Sequence, residues 1–226
     1  MIDEKELSQI ISEVIKDYEK SVSSHSDSLS VSEDGDIPVG VSARHIHLTR
    51  EDVDILFGPG YELTKLKDLS QPGQFACKEQ LTLIGPSLKA IEGVRVLGPL
   101  RKRTQIEISK TDSFVLKNNP PVRESGDVSG SAPITIVGPK GILEVKEGCI
   151  LANRHIHMSP DDARRYNVSD GDYVAVDVKG NGKRTTLWDV QIRVSEKFIL
   201  EMHLDTDDAN ACGIGNGAKV KLISNK

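Results

Sequence analysis

The chain of 226 residues is poor in aromatic side chains, 4% of the total, and carries no surplus of positive charge: 29 Lys plus Arg stand against 34 Asp plus Glu, a formal net charge of -5. A dedicated nucleic-acid binder carries a net basic domain, so that class is disfavoured. No apolar run approaches the roughly 20 residues of a membrane helix. The opening MIDEKELS lacks the basic n-region of a secretory signal. The expectation is a soluble intracellular protein with no membrane partner. Cys77, Cys149 and Cys212 are widely spaced and form no CxxC pair, which argues against a disulfide framework and leaves them as small core residues. There is no P-loop, no dinucleotide fingerprint and no Gly-x-Ser-x-Gly elbow.

Charge is unevenly distributed. Residues 1–36 hold ten acids and three bases, a net of -7, and the remainder holds 26 bases against 24 acids, a net of +2. Within the acidic segment Leu7, Ile10, Ile11, Val14, Ile15 and Tyr18 recur at helical spacing, which predicts an amphipathic helix over residues 1–20. The Ser- and Asp-rich stretch after it reads as a flexible linker over residues 21–36. A tethered helix needs a surface for its apolar stripe: its own body, a second copy, or a groove on a partner.

From Ile37 onward the chain shows short apolar runs punctuated by Gly and Pro. LTLIGP, VRVLGP and ITIVGP each end a strand-length segment in the same turn signal, so a mainly β chain is expected. Arg44-His45-Ile46-His47-Leu48-Thr49 aligns without gaps on Arg154-His155-Ile156-His157-Met158-Ser159, and Met202-His203-Leu204-Asp205 is a weaker third copy. Each copy reads as a strand delivering histidine, followed by a capping residue (Thr49, Ser159, Asp205) that opens a short acidic helix turn. Residues i and i+2 of a strand share a face, so His-x-His sets two imidazoles side by side, a geometry that suits a metal ion. Five of the six histidines lie in these corners and only His25 does not, so metal binding is favoured over structural histidines.

Glu107, in RKRTQIEIS, shares a strand face with Gln105 and is either a further metal ligand or a solvent-exposed acid. Arg101, Lys102 and Arg103 form either a phosphate-holding cluster or a solvated turn. The stretch Glu124-Ser125-Gly126-Asp127 could donate hydroxyl and backbone NH groups to an anion, or be only a loop.

The two RHIH motifs, GPLRKRTQIEIS, PVRESGDVSGSAP and EMHLDTDDANACGIGNG together resemble the metal-dependent phosphotransacylases, the phosphate propanoyltransferases of bacterial microcompartments. The resemblance runs from about Ile37 to the C-terminus, and the tail is similar to the encapsulation helices of that family. It implies two β-barrel domains capped by short helices, the first from residues 37–46 plus 153–226 and the second from residues 47–152. It implies two zinc ions per chain, one at His45, His47 and Glu107, the other at His155, His157 and His203. Arg101 then matches the phosphate-holding arginine, with Arg103 as the competing register, and Ser125 the serine of the SGD loop. Implied substrates are acyl-CoA (propanoyl or acetyl) and inorganic phosphate, the products acyl phosphate and coenzyme A. Also implied are a homodimer, shell or cargo partners for residues 1–20, and a place in the microcompartment lumen. Two other classes remain: a cupin-like enzyme with one metal at His45, His47 and Glu51, and a non-catalytic scaffold whose working part is the tail. About 190 residues beyond the tail are few for the roughly 250 of an amidohydrolase barrel.

Overall fold

The computed structural model describes residues 30–31, 36–182 and 184–224, so the helix expected over residues 1–20 and most of the linker lie outside the described residues. Two six-stranded barrels close on themselves. The first uses β2 (Ile37–Ser42), β11 (His155–Met158), β12 (Tyr173–Lys179), β13 (Arg184–Val194), β14 (Glu201–Asp205) and β15 (Lys219–Ser224). Their order is β15-β12-β13-β11-β14-β2, and β15 pairs back to β2. The second uses β3 (His45–His47), β5 (Phe75–Ile84), β6 (Ala90–Gly98), β7 (Gln105–Glu107), β9 (Ala132–Val137) and β10 (Ile142–Ala152). It runs β5-β6-β3-β7-β10, with β9 bridging β10 and β5. The short strands β4 (Lys65–Asp68) and β8 (Val122–Arg123) flank it. One difference from expectation falls in the linker: β1 (Ser30–Val31) pairs antiparallel with the end of β15, whose outer edge offers unpaired backbone groups.

The two barrels share one topology, which is what the repeated motif encodes. Parallel pairs β3–β6 and β7–β10 in one barrel answer β11–β13 and β14–β2 in the other. The chain changes barrel twice. β2 pairs in the first barrel and feeds β3 of the second through Ala43-Arg44; β10 pairs in the second and feeds β11 of the first through Asn153-Arg154. A domain boundary between Ile46 and His47 therefore falls inside β3, which pairs as a unit with β7. The arginine of each RHIH motif pins its crossover. Arg44 makes a two-pronged ion pair with Asp112 (2.7 and 2.9 Å), and Arg154 lies 3.5 Å from Asp208.

Each of four strands ends in the same corner. After β3, β7, β11 and β14 come α1 (Arg50–Phe57), α2 (Lys110–Leu116), α3 (Pro160–Tyr166) and α4 (Thr206–Cys212). Thr49, Ser109, Ser159 and Asp205 are their N-caps, each accepting from the NH three residues on at 2.8 to 3.1 Å. The cap satisfies a donor that the first helical turn cannot pair. In each corner the middle residue of the strand triplet (Ile46, Ile106, Ile156, Met202) is fully buried in its own barrel's core. Burying such a side chain contributes about 1.5–3 kcal/mol. With the middle residue anchored inward, the period of two turns both flanking residues to the opposite face. The three cysteines are free and buried in the cores.

Candidate active site

The outward-facing residues of the four corners meet between the barrels. Antiparallel register sets His45 opposite Glu107 and His47 opposite Gln105; in the other barrel it sets His155 opposite His203 and His157 opposite Glu201. Two clusters result, His45 with His47 and Glu107, and His155 with His157 and His203, each with its potential ligand atoms within 4.8 Å of one another. Both line a single cavity of about 790 Å³, together with Arg101, Ser125, Arg193, Phe198 and Glu201.

Three of the histidines, His47, His155 and His157, are held as neutral donors. Burial, then repulsion from His45 and Arg101, brings His47 down to about 2. Burial, then His203, brings His155 to about 4, and burial, then His155 and His203, brings His157 to about 2. At His45 burial acts downward, but the Glu107 carboxylate outweighs it and raises the ring. Burial alone would raise Glu107; instead His45, His47 and the Ser125 hydroxyl hold it well below the usual carboxylate range. His45 Nδ1 donates to the Ala43 carbonyl at 2.9 Å and His155 Nδ1 to the Asn153 carbonyl at 2.8 Å, leaving Nε2 of each ring for a ligand. Nδ1 of His47 and of His157 and Nε2 of His203 are buried with no hydrogen-bond partner among the described residues. The last lies 3.0 Å from Glu201 Oε2, but off the line of a hydrogen bond. Orphaned imidazole nitrogens, one in the first cluster and two in the second, are costly unless something electrophilic sits beside them. Nitrogen and carboxylate donors in this number suit a zinc-like cation.

Around the first cluster Ser125 is a hub. Its hydroxyl donates to Glu107 Oε1 at 2.8 Å and accepts from Arg101 Nη1 at 3.1 Å and from Gln105 Nε2 at 3.0 Å. Gln105 also donates to Glu107 at 2.6 Å and receives the Gly126 NH at 2.7 Å, fixing the SGD loop to the strand. Arg101 is thereby aimed into the cavity beside Glu107, whereas exposed Arg103 pairs outward with Glu147 at 3.4 Å. Glu51 is exposed on α1 and does not line the cavity, which removes the third ligand of a cupin-like centre. None of the cysteines lines the cavity, and burial, foremost among several influences, raises all three thiols.

Four site features were not read from the sequence. Gln105-Ile106-Glu107-Ile108-Ser109 is a fourth copy of the corner, and its spacing to Asp112 matches that from His45 to Asp52. Glu201 occupies the first position of the third copy and is clasped from the other barrel by Ser70 Oγ and by Gln71 Nε2 at 3.2 Å. Gln71 in turn exchanges two hydrogen bonds with the Ile199 backbone. Arg193 is set beside His157 by the β11–β13 register. Phe198 stacks on His157 at 4.0 Å.

Comparison with known proteins places these residues in a family context. The family model for phosphate propanoyltransferase matches residues 38–215. A phosphate propanoyltransferase of Thermotoga maritima is 56% identical over 187 residues, 83% of this chain and 89% of that protein. One from Lachnoclostridium phytofermentans is also 56% identical over 187 residues, covering 83% and 87% of the two chains. One from Clostridioides difficile is 51% identical over 187 residues, covering 83% and 88%. The matched span includes both clusters, Arg101, Ser125 and Arg193.

Proposed function

The chain belongs to the phosphate propanoyltransferase family, and on that premise we propose that its cavity interconverts acyl-CoA plus phosphate with acyl phosphate plus CoA, propanoyl and acetyl being the acyl groups. The family makes the chain an acyltransferase. What carries the finer reading is that two separate donor clusters and the Arg101 guanidinium open on one cavity.

His45, His47 and Glu107 would hold one zinc ion, and His155, His157 and His203 the other. Zinc bound there supplies Lewis-acid polarisation of the phosphate and acyl oxygens. The chain's own residues do the rest. Arg101, oriented by Ser125, pairs with phosphate through its planar guanidinium and holds one phosphate oxygen toward the acyl carbon. That oxygen bonds to the carbonyl carbon, and the carbon–sulfur bond then breaks with its electron pair leaving on sulfur. The proton of hydrogen phosphate ends on the CoA thiol. As charge builds on the carbonyl oxygen, Arg101 also stabilises it electrostatically. No covalent acyl-enzyme enters: the thiols are buried away from the cavity, and the Ser125 hydroxyl is committed to Glu107.

The acidic tail completes the reading. Residues 1–20 address the protein to shell or cargo proteins and so to a microcompartment lumen, and the body acts as a homodimer. Apolar residues at helical spacing, the Ser- and Asp-rich stretch after them and the likeness to encapsulation helices support the address. Fusing residues 1–20 to a fluorescent protein tests the address, and diffuse signal beside an assembled shell counts against it. For the chemistry, metal analysis is combined with CoA release from propanoyl-CoA. Two zinc per chain with phosphate-dependent release is expected; one metal without turnover, or none, overturns the reading.

A further inference from the structure

Arg193 is a cation of the cavity that no described residue neutralises. It lies in β13, where parallel register places it beside His157, and it is half-buried. Its guanidinium makes no hydrogen bond or ion pair among the described residues. Its contact is the Phe198 ring, 5.9 Å from the guanidinium carbon, and that ring stacks on His157 at 4.0 Å. The other arginines lining the cavity are engaged. Arg44 is taken by Asp112, Arg95 by the Cys77 and Lys78 carbonyls, and Arg101 by Ser125.

Arg193 nonetheless acts across the cavity. After burial and the opposing pull of Glu107, its charge is the remaining influence on Arg101, and it also disfavours protonation of His155 and His157. Two guanidiniums, one from each barrel, thus face one partly desolvated space, where like charges repel more strongly than in water. The carboxylates that line the cavity do not resolve this, and Asp68 is paired with Lys65. Glu107 is shared by His45 and Ser125, and Glu201 by His203, Ser70 and Gln71. An anion between the two arginines would satisfy both.

We propose that Arg193 is a second phosphate-binding residue, which closes with Arg101 from the opposite barrel on the dianion of inorganic phosphate or on the phosphoryl group of acyl phosphate. This rests on the phosphotransacylase reading and adds to it a residue that the sequence motifs do not single out. Two planar forks set against one tetrahedral dianion fix its orientation as well as its position. Phe198 acts as a positioning residue, keeping the arginine stem against His157 so that the guanidinium is presented to the cavity.

The test uses the full chain loaded with zinc. For Arg193→Ala the Michaelis constants for phosphate and, in reverse, for acyl phosphate should rise roughly tenfold to a hundredfold, while that for propanoyl-CoA stays within about twofold. Zinc content should equal wild type, which separates lost anion binding from collapse of the second cluster. If Arg193→Ala does not fold, Arg193→Lys carries the test, because it keeps the charge and loses the fork; a raised constant for phosphate is again expected. Calorimetric titration of the same proteins with inorganic phosphate alone gives a readout independent of turnover. An unchanged phosphate constant overturns the proposal. So does a rise confined to propanoyl-CoA, which would assign Arg193 to a phosphate of CoA. Wild-type protein without phosphate-dependent CoA release would instead sink the phosphotransacylase reading itself.

Discussion

Glu107 Oε2 stands 3.4 Å from His45 Nε2 across the antiparallel β3–β7 pair, so the first cluster is closed by a carboxylate exactly where register would put it opposite a histidine. The equivalent position in the other barrel is His203, opposite His155. The clusters therefore differ in charge by one ligand. Glu107→Gln keeps the shape and can still accept from Ser125, but it removes the charge. We expect zinc to fall from two to one per chain and CoA release to drop by roughly 100-fold or more, the scale of a lost electrostatic term of several kcal/mol. Two zinc ions and an unchanged rate in the variant would refute the assignment of Glu107 as a ligand.

Acid should destabilise the metal-free protein. His155 is held at about 4 against an ordinary 6.5. The unfolded chain takes up this proton below pH 6.5, whereas the native state does not until pH approaches 4. Stability from this group is thus complete above pH 6.5 and lost as pH falls toward 4, by roughly 1.4 kcal/mol per pH unit. His47 and His157, both near 2, act with the same sign over a wider window; the depressed Glu107 adds to it only below pH 4.5, and His45, raised, acts the other way. Thermal melts in chelator at pH 7, 6 and 5 should show a falling midpoint, and His155→Gln should flatten the slope. An identical slope in that variant would mean that His155 does not carry the effect.

Much of this arrangement was legible because three of its four corners carry histidine. The pattern of Arg44 to Thr49 and of Arg154 to Ser159 identified strand, cap and helix turn, and the structure has each. The fourth corner escaped because Gln105 and Glu107 replace the histidines, although the buried Ile106, the Ser109 cap and Asp112 keep its spacing. Searching for the alternation of apolar residues with a cap, rather than for imidazole, would have found it and α2 together. β10 carries ILEV and CILA as one strand, with an irregularity between Val145 and Cys149 that apolar patterning does not announce. Arg193 and Glu201 could not be read at all. Their place depends on which strands lie side by side, and that is set by two crossovers between barrels.

Metal removal should loosen the body as well as stop turnover. The donor atoms of each cluster come from two strands whose orphaned nitrogens are buried. An ion that binds only the folded state adds about 2.7 kcal/mol at a hundred times its dissociation constant. For a chain of this size that corresponds to roughly 5–11 °C in midpoint. Scanning calorimetry of zinc-loaded and chelated protein at pH 7.5 checks this. Coincident midpoints at saturating zinc would argue against buried metal centres.

Gly40 offers a way to disturb Glu201 without changing it. A methyl group at Gly40 would lie 3.0 Å from the Glu201 carboxyl carbon and from Oε1. Register holds the two strands together there, with Gly40 opposite His203. The carboxylate has little room to retreat, because Ser70 and Gln71 hold it from the other barrel and His203 lies 3.0 Å away. Gly40→Ala should therefore cost about 1–3 kcal/mol through overpacking and lower CoA release by roughly tenfold through the displaced carboxylate and its neighbour His203. The mechanism is separable from a general loss of packing by a double-mutant cycle. In Glu201→Ala the space is open, so adding Gly40→Ala should then cost far less than it does in wild type. If the two losses instead add in full, the glycine is required for some reason other than the approach of Glu201.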